Sequence, residues 1–513
     1  MRFMSKAADL AAALRAIPSS GHMSSGQRLA RVSIAFVVLA LLCIPFADLA
    51  IYRVEPWQEL GRMARGLLTI NWYDWPSLRD ALGQTVAFAL LAVAVSCLSG
   101  LALAMCYEWR IVRLFCASIR AVHELFWGLI FMQLFGLSPL TGLLAIAIPY
   151  TGIFAKIFAE IFERQSPVPG KSLAPGTARV SRFAYTLLPQ AWPELAGYTR
   201  YRFECALRSS AILGFIGLPT LGFYLETAFK QGQYSEAFAL LLVFYLIIAS
   251  IRYWLRPRLI PLYLLAAFFW LPESPPVGGS YIWQFFTRDI WPAPLLQGDV
   301  LGTFAWYWQQ LYDVAGSAIV STVLLSQLAL VLTGALALLF YPFASRLLVG
   351  KYFRVPGQGL LLVMRSTPEM ILAFVLLLIF GPSGLPAVIA LALHNGGLIG
   401  YLLARRSEEL SLRPDTATGA NRYFFEATPR LYPQFLSLLL YRWEVILRES
   451  AILGILGVAT LGFYIDSAFE DIRYDRAAFL IFITALLNIA VDAISRRVQR
   501  YCRLEQTRAG MTH

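Results

Sequence analysis

Long uncharged apolar runs recur along the whole chain, separated by short polar connections. Thr85–Cys106 (TVAFALLAVAVSCLSGLALAMC) is one, with no charge over about 22 residues, and a helix needs about 20 apolar residues to cross the hydrocarbon core. The pattern predicts about twelve spans. Six lie in a first half, near Val32–Ile51, Thr85–Cys106, Leu114–Phe135, Leu140–Phe162, Arg202–Phe223 and Ala237–Ile251. Six lie in a second, near Leu259–Leu271, Val314–Phe340, Leu360–Phe380, Leu385–Ala404, Leu438–Phe463 and Ala477–Ile494. The seventh is short. The fifth and eleventh carry Gly, Arg and Glu, unlike plain lipid-facing helices. Trp57–Leu68 is amphipathic, which suits either the outer membrane–water interface or an ordinary connecting helix.

The halves repeat. Glu204–Ala237 and Glu444–Ala477 align at an offset of 240 residues with 18 of 34 positions identical, and Arg120–Glu124 (RAVHE) aligns with Arg365–Glu369 (RSTPE) at an offset of 245. Each half has an even number of predicted spans, so both enter the membrane from the same side as parallel copies. The fold class expected is an all-α integral membrane protein of two parallel six-helix repeats. The expected units are a tail (1–30), a first repeat (31–255), a second repeat (256–500) and a C-terminal tail (501–513).

Composition and charge agree with a membrane solvent. The chain is 58% hydrophobic and 14% charged, against about 25% charged in soluble domains. With the N-terminus inside, only Arg53, Arg62, Arg65, Arg79, Lys230, Arg288, Arg473 and Arg476 of 43 Lys and Arg fall in outside loops. Arg252, Arg256, Arg258, Arg346, Lys351, Arg354, Arg496, Arg497, Arg500 and Arg503 fall inside. This asymmetry places both termini in the cytoplasm. The net charge of +12 then belongs to cytoplasmic loops and not to nucleic-acid binding. The first 30 residues read as a basic tail, with no cleavable signal. The six cysteines show no CxxC or Cys/His spacing, so no metal site or disulfide framework is expected.

Charges inside spans are functional candidates. Arg120 with Glu124, and Arg365 with Glu369, sit four apart, which on one helix places each pair on one face. Such a pair either relieves its own burial or puts arginines on a pathway, where a guanidinium fork suits an oxyanion. Ser366 adjoins the second pair. Arg208, Ser209 and Ser210 precede Gly214 and Gly217; Arg448 and Ser450 precede Gly454 and Gly457. These segments read as a gate, or as glycine packing contacts. Glu204 and Glu444 are expected to pair with Arg208 and Arg448 at i+4. His123 and His394 occupy non-equivalent positions and read as packing residues without a proton relay.

A hydrophilic loop precedes the fifth span as Ser172–Leu195 (SLAPGTARVSRFAYTLLPQAWPEL) and the eleventh as Arg413–Gln434 (RPDTATGANRYFFEATPRLYPQ). A Gly followed by about a dozen residues and Leu-Pro resembles the coupling loop of ATP-binding-cassette import permeases. Leu447–Phe469 (LRESAILGILGVATLGFYIDSAF), Met364–Gly400 with its Arg-Ser-x-Pro-Glu opening, Thr418–Arg422 (TGANR) and Leu187–Gln190 (LLPQ) resemble the phosphonate- and phosphite-type permeases of that class. The resemblance runs from about residue 80 onward. It implies coupling positions at Gly176, Arg179, Leu188, Pro189, Gly419, Ala420, Asn421, Arg422 and Pro429, although the Glu-Ala-Ala opening is absent and Pro429 and Pro433 are displaced. No GxxxxGK[ST] loop exists, so ATP would be hydrolysed by partners and no cofactor bound.

The resemblance further implies two copies of an ATPase subunit, a periplasmic binding protein, one copy of this chain per transporter and a place in the bacterial inner membrane. The alternatives are a secondary transporter with parallel six-helix repeats, and an importer permease for ferric iron or thiamine.

Overall fold

The computed structural model describes residues 25–52, 55–72, 74–174, 176–273, 279–412 and 418–502. Arg53, Arg503, both chain ends and residues 413–417 of the second loop lie outside the described residues. Every described element is helical. In the first half the main helices are α1 (Ser25–Cys43), α2 (Pro56–Leu68), α3 (Trp75–Met105), α4 (Arg110–Ala121), α5 (Glu124–Phe135), α6 (Pro139–Arg164), α7 (Leu188–Ile212), α8 (Leu221–Lys230) and α9 (Tyr234–Trp254). The second half follows with α10 (Ile260–Trp270), α11 (Gly316–Ala344), α12 (Arg346–Ser366), α13 (Glu369–Phe380), α14 (Gly384–Ser407), α15 (Thr428–Ile452), α16 (Leu461–Glu470) and α17 (Tyr474–Tyr501).

Seven helices are long and apolar enough to cross a membrane, and up to eleven spans result if each bent pair counts as one. The chain is therefore a multi-pass membrane protein, although the count of twelve is not reached by length and composition. The predicted seventh span is α10, whose 11 residues cover about 16 Å, roughly half the hydrocarbon core.

Each half lends its first helix to the other. α1 packs on α11, and α10 packs on α3. Gln327 Nε2 donates to the Phe36 carbonyl at 3.0 Å, and Tyr432 donates to Ser33 Oγ at 2.6 Å. Beyond α1, Gly384 N donates to Asp48 O and Tyr52 N to Phe380 O. On the other side, a Cβ on Gly83 would lie 2.1 Å from the Trp270 indole nitrogen, so α3 admits α10 only through a glycine. α2 lays one face on α9 and touches α13, while its Trp57 stays 80% exposed.

Four predicted spans are broken. α4 and α5 meet at 88°, α12 and α13 at 93°, the α7 and α8 segments at 53°, and the α15 and α16 segments at 45°. The third and ninth spans are therefore not straight helices, as the apolar pattern predicts, but helices that stop and turn. In the second half the cause is Pro368: the residue before a proline is driven out of the helical region, and Thr367 has φ −67°, ψ 121°. In the first half Val122 and His123 are extended without a proline, and His123 Nδ1 accepts from Leu125 N at 3.1 Å.

Where α8 and α16 begin, a buried threonine satisfies the first free amide. Leu221 N donates to Thr85 Oγ1 at 2.8 Å, and Leu461 N to Thr322 Oγ1 at 3.1 Å. Replacing Thr85 by Val keeps the shape and leaves that amide unpaired. We expect a loss of about 1–3 kcal/mol, read as a lower melting temperature of the purified protein, with Thr322→Val behaving alike.

Candidate functional site

A helix that stops inside a membrane leaves carbonyls without amide partners, and no water is there to take them. Here side chains at the junction of the halves do so. Arg448 Nη1 donates to the Arg120 carbonyl at 2.6 Å, and Asn488 Nδ2 to Ala121 O at 2.7 Å. In the mirrored position Arg208 Nη1 donates to the Arg365 carbonyl at 3.0 Å, and His394 Nδ1 meets Thr367 O at 2.9 Å. Arg208 and Arg448 thus cap the negative ends of α12 and α4, each from the opposite half.

The ion pairs are also exchanged between halves. Arg120 lies 3.5 Å from Glu444 and 3.3 Å from Asp492, and Arg365 lies 3.4 Å from Glu204. This corrects two expectations. Arg120 and Glu124 do not share a helix face, nor do Arg365 and Glu369, because the breaks put the members of each pair on helices about a right angle apart. Glu204 and Glu444 serve the opposite half's arginine in place of Arg208 and Arg448.

Glu124 and Glu369 stand instead at the N-termini of α5 and α13, where helix dipoles favour negative charge. Both border a cavity of about 80 Å³ between the halves. Ser209 Oγ donates to Glu124 at 2.7 Å and lies 3.1 Å from the Tyr150 hydroxyl. The equivalent second-half positions are Glu449 and Asn395, and Asn395 donates to Glu449 at 2.8 Å. Of the predicted serines only Ser209 reaches this cavity. Ser210 and Ser450 bond carbonyls one turn back, at Leu207 and Leu447, and Ser366 is buried.

Both histidines face the cavity. His394 joins Arg208, 2.9 Å from its Nε2, to the Thr367 carbonyl, and His123 Nε2 is 3.6 Å from Glu124. Glu369, His394 and Glu449 bring ligand-type atoms within 4.8 Å of one another. They do not suit a cation: both His394 nitrogens are engaged, one by a guanidinium, and Asn395 holds Glu449.

A second cavity, of about 580 Å³, lies beyond the α7–α8 and α15–α16 turns, lined by Phe215, Ile216, Ile455 and Leu456 with Glu226, Lys230, Asp466 and Glu470. Ile212, one turn before Ile216, lines the smaller cavity. The turns therefore separate the two spaces. Gly217 and Gly457 make them at φ 90° and 88°. Gly214 and Gly454 let each segment fold back, since a Cβ there would meet the amide of Phe223 at 2.1 Å or of Phe463 at 2.0 Å. These glycines line neither cavity; they shape the partition between them.

The predicted coupling residues lie at the far ends of α7 and α15. Gly176 is exposed at φ 89°, followed by a helical turn beginning at Arg179 and a π-type turn leading into Leu188 and Pro189. Gly419 starts the equivalent segment, Ala420–Arg422, which holds Asn421; Pro429 stands in the first turn of α15. Arg422 anchors this segment by donating to Leu347 O at 3.1 Å. Tyr185 and Phe425, each 78% exposed, leave an apolar surface on both copies.

Sequence reading missed Glu449, Tyr150, Arg202 and Arg442 at the cavity, and Asn395 bonded to Glu449. The arginines carried a usable signal, because Tyr201-Arg202 recurs as Tyr441-Arg442 at the 240-residue offset. Arg120→Gln and Glu444→Gln should each cost about 1.5–3 kcal/mol, as a hydrogen-bonded charge is stranded. The double variant should lose less than their sum, measured by thermal unfolding in detergent.

No protein-family profile matches the chain, and no solved structure matches it. The phosphate-import permease of Mycolicibacterium smegmatis is 27% identical over 411 residues, 75% of this chain and 76% of that protein. A phosphite-transport permease of Stutzerimonas stutzeri is 27% identical over 229 residues, 42% of this chain and 83% of its own length. A cryptic phosphonate-transport permease of Escherichia coli is 32% identical over 118 residues, 23% of this chain and 96% of that protein. The first alignment is longer than the 240-residue repeat offset, whereas the second nearly fills a relative within one repeat length.

Proposed function

The chain belongs to the phosphonate-transport permease family, and on that premise we propose that it is the membrane subunit of an ATP-driven, binding-protein-dependent importer for a phosphorus oxyanion. The observation that carries this reading is the cavity between two fused permease repeats, bordered by Arg202, Arg208, Arg442 and Arg448. Four guanidinium groups at a membrane-buried interface suit an anion pathway.

The larger cavity supports delivery by a carrier. Its charged lining is three carboxylates, Glu226, Asp466 and Glu470, with Lys230, and that balance does not draw free oxyanion from bulk solution. A docked binding protein overcomes it by raising the local anion concentration. ATP binding would draw together two ATPase subunits seated on the loops around Gly176 and Gly419. The halves would then rock about their junction, in the inner membrane with both termini cytoplasmic. One chain, carrying both loops, would serve a whole transporter. The permease supplies differential affinity between two states and no covalent chemistry.

Reconstitution with the ATPase and binding protein tests the proposal: phosphite or phosphate uptake should require ATP and both partners. Transport by the chain alone under an ion gradient would refute it. Gly419 has φ 65°, ψ −139°, a region essentially restricted to glycine and costing other residues about 1–3 kcal/mol. Gly419→Val should lower uptake while ATP hydrolysis continues, measured as anions moved per ATP.

A further inference from the structure

Three pairs of arginines occupy equivalent positions at the junction of the halves. Arg120 and Arg365 are held by Glu444, Asp492 and Glu204. Arg208 and Arg448 are held by the carbonyls of Arg365 and Arg120. The third pair, Arg202 and Arg442, stands six residues earlier on α7 and α15, about 9 Å along each helix toward the loop end. Among the described residues neither of its guanidinium groups donates a hydrogen bond or forms an ion pair. Arg202 makes one recorded contact of note: its guanidinium carbon sits 3.9 Å from the centre of the Tyr150 ring, and its Nε is buried without an acceptor. Both arginines line the 80 Å³ cavity.

Two partly buried cations with free donors carry a cost that an anion removes. We propose that Arg202 and Arg442 are the anion-contacting pair of the pathway, closing their forks on a small tetrahedral oxyanion such as phosphite or phosphate; this rests on the transport function proposed above. The geometry suits a transient station. The cavity holds several waters' worth of space, hence one such ion. Tyr150 restrains Arg202 from behind by cation–π contact, leaving its edge to the ligand. Glu124, Glu369 and Glu449 on the same wall weaken the hold, so the ion can leave. The other two pairs cannot turn to a ligand without stranding a carboxylate or a helix carbonyl.

The test uses the full complex in proteoliposomes, with Arg202→Gln, Arg442→Gln, the double variant, and Arg79→Gln in the first turns of α3 as control. Radiolabelled phosphite and inorganic phosphate are the probes. Uptake should fall about tenfold in each single variant, the loss expected for a charge-assisted hydrogen bond, and further in the double. Co-purification with the ATPase should persist, and the control should transport normally. Lysine at both positions keeps charge but not the fork; it should assemble and transport between the wild type and the glutamine pair, which covers the case where glutamine prevents folding. Wild-type uptake in the double glutamine variant, or in the lysine pair should glutamine not assemble, would overturn the assignment while leaving the transporter reading intact. If the wild-type complex moves neither anion, the transport reading itself fails and takes the assignment with it.

Discussion

Hydrogen-bonding the backbone where helices stop inside the membrane is the constraint on which this structure rests. An apolar medium offers no substitute for a lost amide partner, so each break at 122–123 and 367–368 requires a donor from elsewhere. Arg448 and Arg208 supply it, each across the junction. Their long side chains reach what a serine or asparagine on the same helix would not, and their charge suits the negative end of the helix they cap. A helix break in one half is thereby fully satisfied only when the other half is docked.

That reciprocity explains why the halves are interlocked and not merely adjacent. The opening helices α1 and α10 are exchanged, the ion pairs are exchanged, and the carbonyl caps are exchanged. Sliding one half on the other must therefore break or carry along several charge-assisted contacts at once. Such an arrangement favours two discrete packings over gradual deformation, as a transporter that alternates between states requires. The breaks also turn α5 and α13 so that their N-termini, with Glu124 and Glu369, face the polar cavity.

The copies have diverged where they meet. Ser209 faces Glu449 across the pseudo-symmetry, Tyr150 faces Asn395, and His123 stands where the second half has Pro368. The hydrogen-bond pattern survives these changes, since Tyr150–Ser209 and Asn395–Glu449 are both bonded. What is asymmetric is charge: the second half brings an additional carboxylate, and of Arg202 and Arg442 only Arg202, among the described residues, has an aromatic ring against its guanidinium. The repeat preserves backbone geometry more strictly than side-chain chemistry, because the turns at Gly217 and Gly457 tolerate no Cβ strain while the cavity wall admits substitution.

Much was legible in the chain itself. Apolar run length set the membrane class, the 240-residue offset set the duplication, and the Arg/Ser/Gly clusters marked the segments that converge on the junction, because these depend on composition and order along one strand of chain. The ion pairing was not legible. Spacing of four predicts partners only while a helix continues, and both Arg120–Glu124 and Arg365–Glu369 straddle a turn of about ninety degrees. The exchange of α1 and α10 was equally hidden, since nothing local says which half a helix will pack against. Sequence thus determined which residues carry charge into the membrane and that they come in pairs. Only the tertiary structure decided which of those charges are spent on broken helices and opposing carboxylates and which remain free, because that allocation is settled by contacts between segments more than a hundred residues apart.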